Sequence, residues 1–314
     1  IDVPFYRREI NMSYNLKVFS QKLRTIRKSL MLHKDYIADK TGISVKTIVR
    51  LENGKCLPNL DTLELLSPLY KTDLVSLLVE CQFDDYYTFT SITNEIENKI
   101  DNGEFDKLES SLNLLKEFSC SISNEYYKTS ISQQIIFING ILEYSRKEYR
   151  LALDTYIKAL RLTEPDFTLE EYSCCILSDA EVRILMNIGF TLDKLEGAKK
   201  SLDIMLFCKD SLENNSAMYP KICHNIAVTY SKMKNYSKSL EYYNEGIDSC
   251  RKSRNPLGMG LLYYGKGYSE YKLGLENYLH SFNTSITLCK AFGHDAVKEI
   301  IISNCKEHCG IILD

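Results

Sequence analysis

The chain has 314 residues, 44% of them hydrophobic and 26% charged, with a net charge of −3. Six prolines, fourteen glycines and no low-complexity run argue against a long disordered segment. No apolar run approaches the roughly 20 residues of a membrane-spanning helix, and no secretory leader opens the chain, so a cytoplasmic protein is expected.

This length favours two domains, or a small domain followed by a repeat array. Residues 1–11 (IDVPFYRREIN) precede Met12, which reads as a natural start, so they are expected to be a leader or vector-derived. Charge divides the rest of the chain. Residues 12–80 hold eleven Lys and Arg against seven Asp and Glu, whereas residues 81–314 hold 26 against 33. A basic small domain on an acidic large one suits a polyanion-binding head with a regulatory body.

Five short helices are predicted in residues 12–80. Leu16, Phe19, Leu23, Ile26 and Leu30 recur at spacings of three and four, giving a first helix one buried face. A second helix runs from about Lys34 to Lys40, and Gly42 supplies its left-handed cap. Ser44 caps a third helix with Ile48 and Leu51 inward, and Gly54 ends it. Asn59 caps the fourth and Thr72 the fifth, which carries Leu74, Leu77 and Leu78.

Two helices joined by a tight glycine turn make a helix-turn-helix. On its second helix Val45, Lys46, Val49 and Arg50 point outward, with Lys46 and Arg50 on one face. In a DNA major groove such Lys and Arg side chains donate to guanine O6 and N7, and Val45 packs on a thymine methyl. Lys34, Ser44, Thr47, Asn53 and Lys55 are placed for phosphates, through side chains and helix N-termini.

The stretch "LHKDYIADKTGISVKTIVRLENGKCLPNLDTLELL" resembles the Cro/repressor-type (XRE-like) helix-turn-helix family. That resemblance implies an ion pair between Glu52 and Arg27, structural rather than DNA-contacting. Two departures stand out. Lys34 replaces the family's glutamine, which favours phosphate contact, and Pro68 is expected to end or bend the fourth helix early.

After a linker at 81–87 the chain is helical and repetitive. "INGILEYSRKEYRLALDTYIKAL" (138–160) aligns with "HNIAVTYSKMKNYSKSLEYYNEGI" (224–247): each has Asn, a tyrosine five later, then a second tyrosine after a short turn, with Ala-Leu or Ser-Leu just beyond. These resemble tetratricopeptide repeats, which have a period of about 34 residues. The turn markers Phe105, Tyr149, Ala198, Tyr236 and Tyr278 lie 44, 49, 38 and 42 apart. The fold class expected is therefore all-α: a five-helix helix-turn-helix domain (12–80), then a right-handed superhelix of about five tetratricopeptide-like hairpins (88–293) and a capping helix (294–314). Pro165, Pro220 and Pro256 fall between repeats.

The concave face of such an array is lined by the first helix of each hairpin. One column there holds Asn94, Asn139, Asn187 and Asn225, with Lys266 or Gly267 in the fifth repeat. An asparagine amide offers a donor and an acceptor, matching the two polar groups of a peptide unit. These residues, with Lys266 for a carboxylate, are the candidate peptide site. Tyr230, Tyr263, Tyr264 and Tyr271 are candidate apolar pockets or core.

Other signals are weak. "GLLYYGKG" (260–267) nearly matches a phosphate loop but follows no strand. The eleven cysteines contain no CxxC, and Cys305, His308 and Cys309 lack a second ligand pair, so reduced thiols and no metal or cofactor are expected. His224 beside Cys223 reads as packing rather than a dyad. Asp84-Asp85 and Glu170-Glu171 read as solvated linker and loop. Nothing points to an enzyme.

The combined architecture resembles the RRNPP family of peptide-pheromone receptors. The resemblance implies a homodimeric transcription regulator that binds double-stranded DNA and a short signalling peptide. The alternative is that the repeats dock a protein partner rather than a free peptide.

Overall fold

The computed structural model describes residues 14–81, 86–101, 103–122, 125–213, 216–256 and 258–313. Among these, every regular element is helical. The chain divides into two compact units, Ile1–Glu97 with Ser110–Ile131, and Asn98–Glu109 with Ser132–Asp314. Asp84 and Asp85, in the expected linker, lie outside the described residues.

The first unit contains α1 (Leu16–Ser29), α2 (Lys34–Thr41), α3 (Val45–Glu52), α4 (Leu60–Tyr70) and α5 (Leu74–Val79). Leu16, Phe19, Leu23, Ile37, Ile48 and Leu63 meet in one apolar cluster. Side-chain caps set the helix starts. Asn15 accepts from the Val18 N–H at 3.0 Å, Ser44 from Thr47 at 3.1 Å and Asn59 from Thr62 at 2.9 Å. Gly42 closes α2 at φ +72°, a conformation that costs any residue with a Cβ.

Two details differ from expectation. Asp73, not Thr72, caps α5, because its carboxylate accepts from the Val75 and Ser76 N–H groups at 3.0 and 3.1 Å. The Thr72 hydroxyl instead donates to the Tyr70 carbonyl at 3.0 Å. Nor does Pro68 end α4 early. The helix continues to Tyr70, whose buried ring holds the last turn in the core.

The remaining helices form five hairpins: α6 (Tyr86–Asp101) with α7 (Phe105–Cys120), α8 (Glu125–Ser145) with α9 (Tyr149–Leu160), α10 (Asp179–Leu195) with α11 (Ala198–Asp210), α12 (Tyr219–Lys232) with α13 (Tyr236–Ser253), and α14 (Met259–Lys272) with α15 (Tyr278–Ala291). A last helix, α16 (Asp295–Cys309), comes after them. Each of the five marker residues, Ala198 included, is the first residue of its hairpin's second helix. Pro220 lies in the first turn of α12, where a missing N–H costs nothing. The connection from α9 to α10 is long, carries a short 3-10 turn (Tyr172–Cys174), and exposes Glu170 and Glu171.

In the second unit each helix packs on the next from α9 to α16, and α12 also meets α14. Glycines allow this closeness. A Cβ on Gly140 would lie 2.5 Å from the Tyr156 ring, and one on Gly265 only 2.0 Å from the Tyr243 ring. "GLLYYGKG" falls inside α14, with Gly267 pressed on Phe282, so it is a packing sequence and not a phosphate loop. Cys305 and Cys309 lie on α16, Cys305 buried in an apolar cluster that pushes its thiol up to about 12.

Candidate functional site

The helix-turn-helix is built around one buried carboxylate. Glu52 ends α3 at 1% exposure. Arg27 of α1 donates to it through Nε and, at 3.2 Å, through Nη2. The first hydrogen bond and the charge of Glu52 together raise the Arg27 pKa against burial. The implied Arg27–Glu52 pair is therefore present. Arg24, one turn earlier on α1, adds a contact not foreseen. It donates to the Glu52 carbonyl at 2.6 Å and to Asn53 Oδ1 at 2.7 Å. Two arginines of α1 thus hold the C-terminal end of α3, and this aims the opposite face of α3 outward.

On that face Lys46 and Arg50 are exposed, and Val45 and Val49 are half-buried beside them. At the N-terminus of α3 the Ser44 hydroxyl is 2.9 Å from that of Thr47, next to amides without an intrahelical partner. Lys55 is exposed just beyond Gly54. Asn53 is exposed, but its side-chain oxygen is held by Arg24, so only its amide NH2 is left to donate outward. Lys34, expected at a phosphate, has its Nζ 3.2 Å from Glu52 Oε2, so the buried carboxylate competes with any phosphate for it.

The second unit encloses a cavity of about 510 Å³. Residues from every hairpin line it, from Asn98 and Phe105 of the first to Leu261 and Cys289 of the fifth, and so do His294 and Val297 at the start of α16. Its walls are mostly apolar, with Phe137, Ile141, Met186 and Phe190 among them. The polar groups come chiefly from two neighbouring helices: Arg183 and Asn187 on α10, Lys221, His224 and Asn225 on α12.

Of the asparagine column, Asn187 and Asn225 reach this cavity. The Asn187 amide donates to the Arg183 carbonyl at 2.8 Å, leaving its oxygen as an acceptor, and the Asn225 amide meets, among the described residues, the weak acceptor Met186 Sδ at 3.3 Å. Asn94 is exposed in the other unit, and Asn98, one turn on, lines the cavity instead. Asn139 does not line it; its amide turns back to the Ile135 carbonyl at 2.9 Å. Lys266 also stays outside, 3.9 Å from Glu270 and over the Tyr263 ring. Equivalent places in successive repeats do not share one rotation about their helix axes, so the column splits.

The four tyrosines are packing residues. Tyr230 stacks on Tyr242, Tyr263 accepts from Arg251 at 2.7 Å, Tyr264 packs on Phe282, and Tyr271 donates to the Cys309 carbonyl at 3.1 Å. Sequence reasoning missed Arg183 and Lys221 and dismissed His224. The signal was present: "RILMNI" (183–188) and "KICHNI" (221–226) repeat a cation four residues before the asparagine, on one face of each helix. Cys223 is buried against α13, and burial pushes its thiol up to about 12, so it forms no dyad with His224.

The helix-turn-helix family model matches residues 23–77. No curated protein matches the chain by sequence. Among solved structures, Bacillus thuringiensis PlcR in complex with the peptide PapR7 and DNA superposes with a TM-score of 0.72 at 15% identity, covering 91% of this chain and 99% of that one. ComR from S. thermophilus, in complex with DNA and its signalling peptide ComS, gives 0.60 at 16% identity over 93% and 100% of the two chains. The SHP pheromone receptor Rgg2 of Streptococcus dysgalactiae gives 0.57 at 13% identity, over 92% and 99%. The chain thus shares its fold with these proteins along nearly its whole length, and its residues 23–77 form a domain of the helix-turn-helix family.

Proposed function

We propose that this protein is a DNA-binding transcription regulator whose repeat domain binds a short signalling peptide in the cavity and thereby alters DNA binding. One observation carries the reading. A single chain joins an outward-facing Lys46/Arg50 helix to a largely apolar cavity with amides and cations in its wall, in a fold seen with both DNA and peptide in other proteins. Lys46 and Arg50 read base edges, and Ser44, Thr47, Asn53 and Lys55 hold the backbone. Asn187 and Asn225 pair with the peptide main chain. The cavity wall includes both the first hairpin and α16, so an occupant contacts both ends of the stack and favours one curvature of it. A homodimer places two reading helices on half-sites about one DNA turn apart, a spacing that such a change sets or spoils.

The test is a gel shift of the full-length protein on its upstream intergenic DNA, with and without synthetic fragments of short exported peptides encoded nearby. A specific shift that peptide strengthens or weakens is expected. No sequence-specific binding under either condition overturns the reading, and a co-purifying protein that fills the cavity, with peptides inert, replaces it with partner docking.

A further inference from the structure

Among the polar groups of the cavity wall, His224 stands apart from the two amides. It precedes Asn225 on α12 and so projects about 100° round the helix from it, toward a different part of any occupant. Its setting is rigid. The imidazole meets the Tyr243 ring of α13 edge-on at 5.8 Å. Tyr243 is itself buried and seated on Gly265 of α14, where a Cβ would come within 2.0 Å of its ring. A side chain fixed in this way by its neighbours loses little freedom when a ligand binds.

The ring also has unmet hydrogen-bonding capacity. Its Nδ1 is buried with no hydrogen-bond partner among the described residues. Buried polar atoms without partners are costly and few in folded proteins. Burial keeps the ring neutral, its pKa lowered to about 4. A neutral imidazole has one N–H and one lone pair. Buried N–H groups without an acceptor are rarer than under-used acceptors, so the proton belongs on Nε2. Because Nδ1 is closed off, the edge that His224 presents to the cavity is the one carrying Nε2. The wall around it is mostly apolar, with Phe137, Ile141, Met186 and Phe190. A neutral ring brings no charge to offset a buried carboxylate, so the matching group is an uncharged oxygen.

We propose that His224 is a specificity-determining residue of the cavity, donating from Nε2 to an uncharged oxygen on a ligand side chain, a hydroxyl or a side-chain amide. The inference rests on the peptide-binding reading above and specifies what that peptide carries. Asn187 and Asn225 take its main chain, and His224 selects Ser, Thr, Asn or Gln over an apolar isostere at one position of an otherwise apolar segment.

The experiment incubates full-length protein with three pools of acetylated, amidated hexapeptides. The first is built from Leu, Ile, Val, Phe and Gly. The second replaces one Val by Thr or one Leu by Asn, and the third replaces one Leu by Asp. Peptides retained on ultrafiltration are quantified by mass spectrometry. The Thr/Asn pool is expected to be retained about tenfold over the apolar pool, because an apolar isostere leaves the imidazole N–H unmet. The hydrophobic effect acts in the opposite direction, so it cannot produce this preference. His224→Phe removes the preference and His224→Gln, which keeps a donor, retains it. Histidine-selective 15N NMR of the free protein is expected to show the neutral Nε2–H form of His224, its resonance moved by the Thr/Asn pool and not by the apolar one.

Equal retention of the Thr/Asn and apolar pools, or stronger retention of the apolar pool, overturns the assignment and leaves peptide binding standing. So does a preference for the Asp pool, a preference that survives His224→Phe, or a proton found on Nδ1. Should His224→Phe fail to fold, the wild-type pools and the NMR still decide. Retention of no pool overturns the assignment and the peptide-binding reading together.

Discussion

Glu52 is almost fully buried in the helix-turn-helix domain, with Arg27 and Lys34 both paired to it. Its work is to hold α3 in place, while Lys46 and Arg50, the side chains proposed to read DNA, stay exposed. Replacing Lys46 or Arg50 by Ala is expected to weaken specific DNA binding by about 1–3 kcal/mol each. Fluorescence anisotropy on the operator measures this, and the melting temperature should not move because neither side chain is buried. Unchanged affinity in both variants would show that another surface reads the DNA. His224 supports a prediction about pH. An unfolded histidine titrates near pH 6.5, whereas burial lowers His224 to about 4. Between these values the unfolded chain binds the extra proton, so stability contributed here is full above pH 6.5 and falls as pH drops toward 4. His224→Phe should flatten that limb in melting temperature against pH, and identical slopes in the two proteins would contradict the assignment.

The hairpins depend on close approach between helices. Gly265 has no room for a Cβ, which would lie 2.0 Å from the Tyr243 ring. Gly265→Ala is expected to lower unfolding stability by about 1–3 kcal/mol in urea, the usual cost of overpacking. A change near zero would mean that Tyr243 has another rotamer open to it. At this scale much was legible before any coordinates. Gly42, Ser44 and Asn59 are punctuation with a local cause, and each stands where expected. The aromatic that opens each second helix is equally local, and even the degenerate Ala198 marks its helix. Thr72 and Pro68 misled for the same reason in reverse. A stronger cap one residue on, and a buried Tyr70, outweighed the local preference.

For the molecule as a whole, the proposed switch requires a coupling free energy between cavity and DNA. A typical coupling changes affinity about 5–150-fold, and thermodynamic linkage makes it reciprocal. Operator DNA must then alter peptide affinity by the same factor by which peptide alters DNA affinity. Titrations of peptide with and without operator, set beside the converse pair, check this equality. A peptide that binds tightly yet leaves DNA affinity unchanged would show a receptor without a switch.

Sequence alone determined the helices, most of their caps, the five-hairpin count and the exposed face of α3. Each of these comes from spacing and side-chain chemistry within a few residues. It also carried the Glu52–Arg27 pair, though only through a family resemblance. Tertiary structure alone decided which column residues face the cavity. Asn187 and Asn225 line it, Asn94, Asn139 and Lys266 do not, and Arg183, Lys221 and His224 join it. The physical reason is that a helix's rotation about its own axis is set by how its small residues seat against neighbouring helices. A modest rotation there moves a side chain from cavity to surface, and the repeated cation-x-x-x-Asn spacing marks a shared helix face without recording which way that face turns.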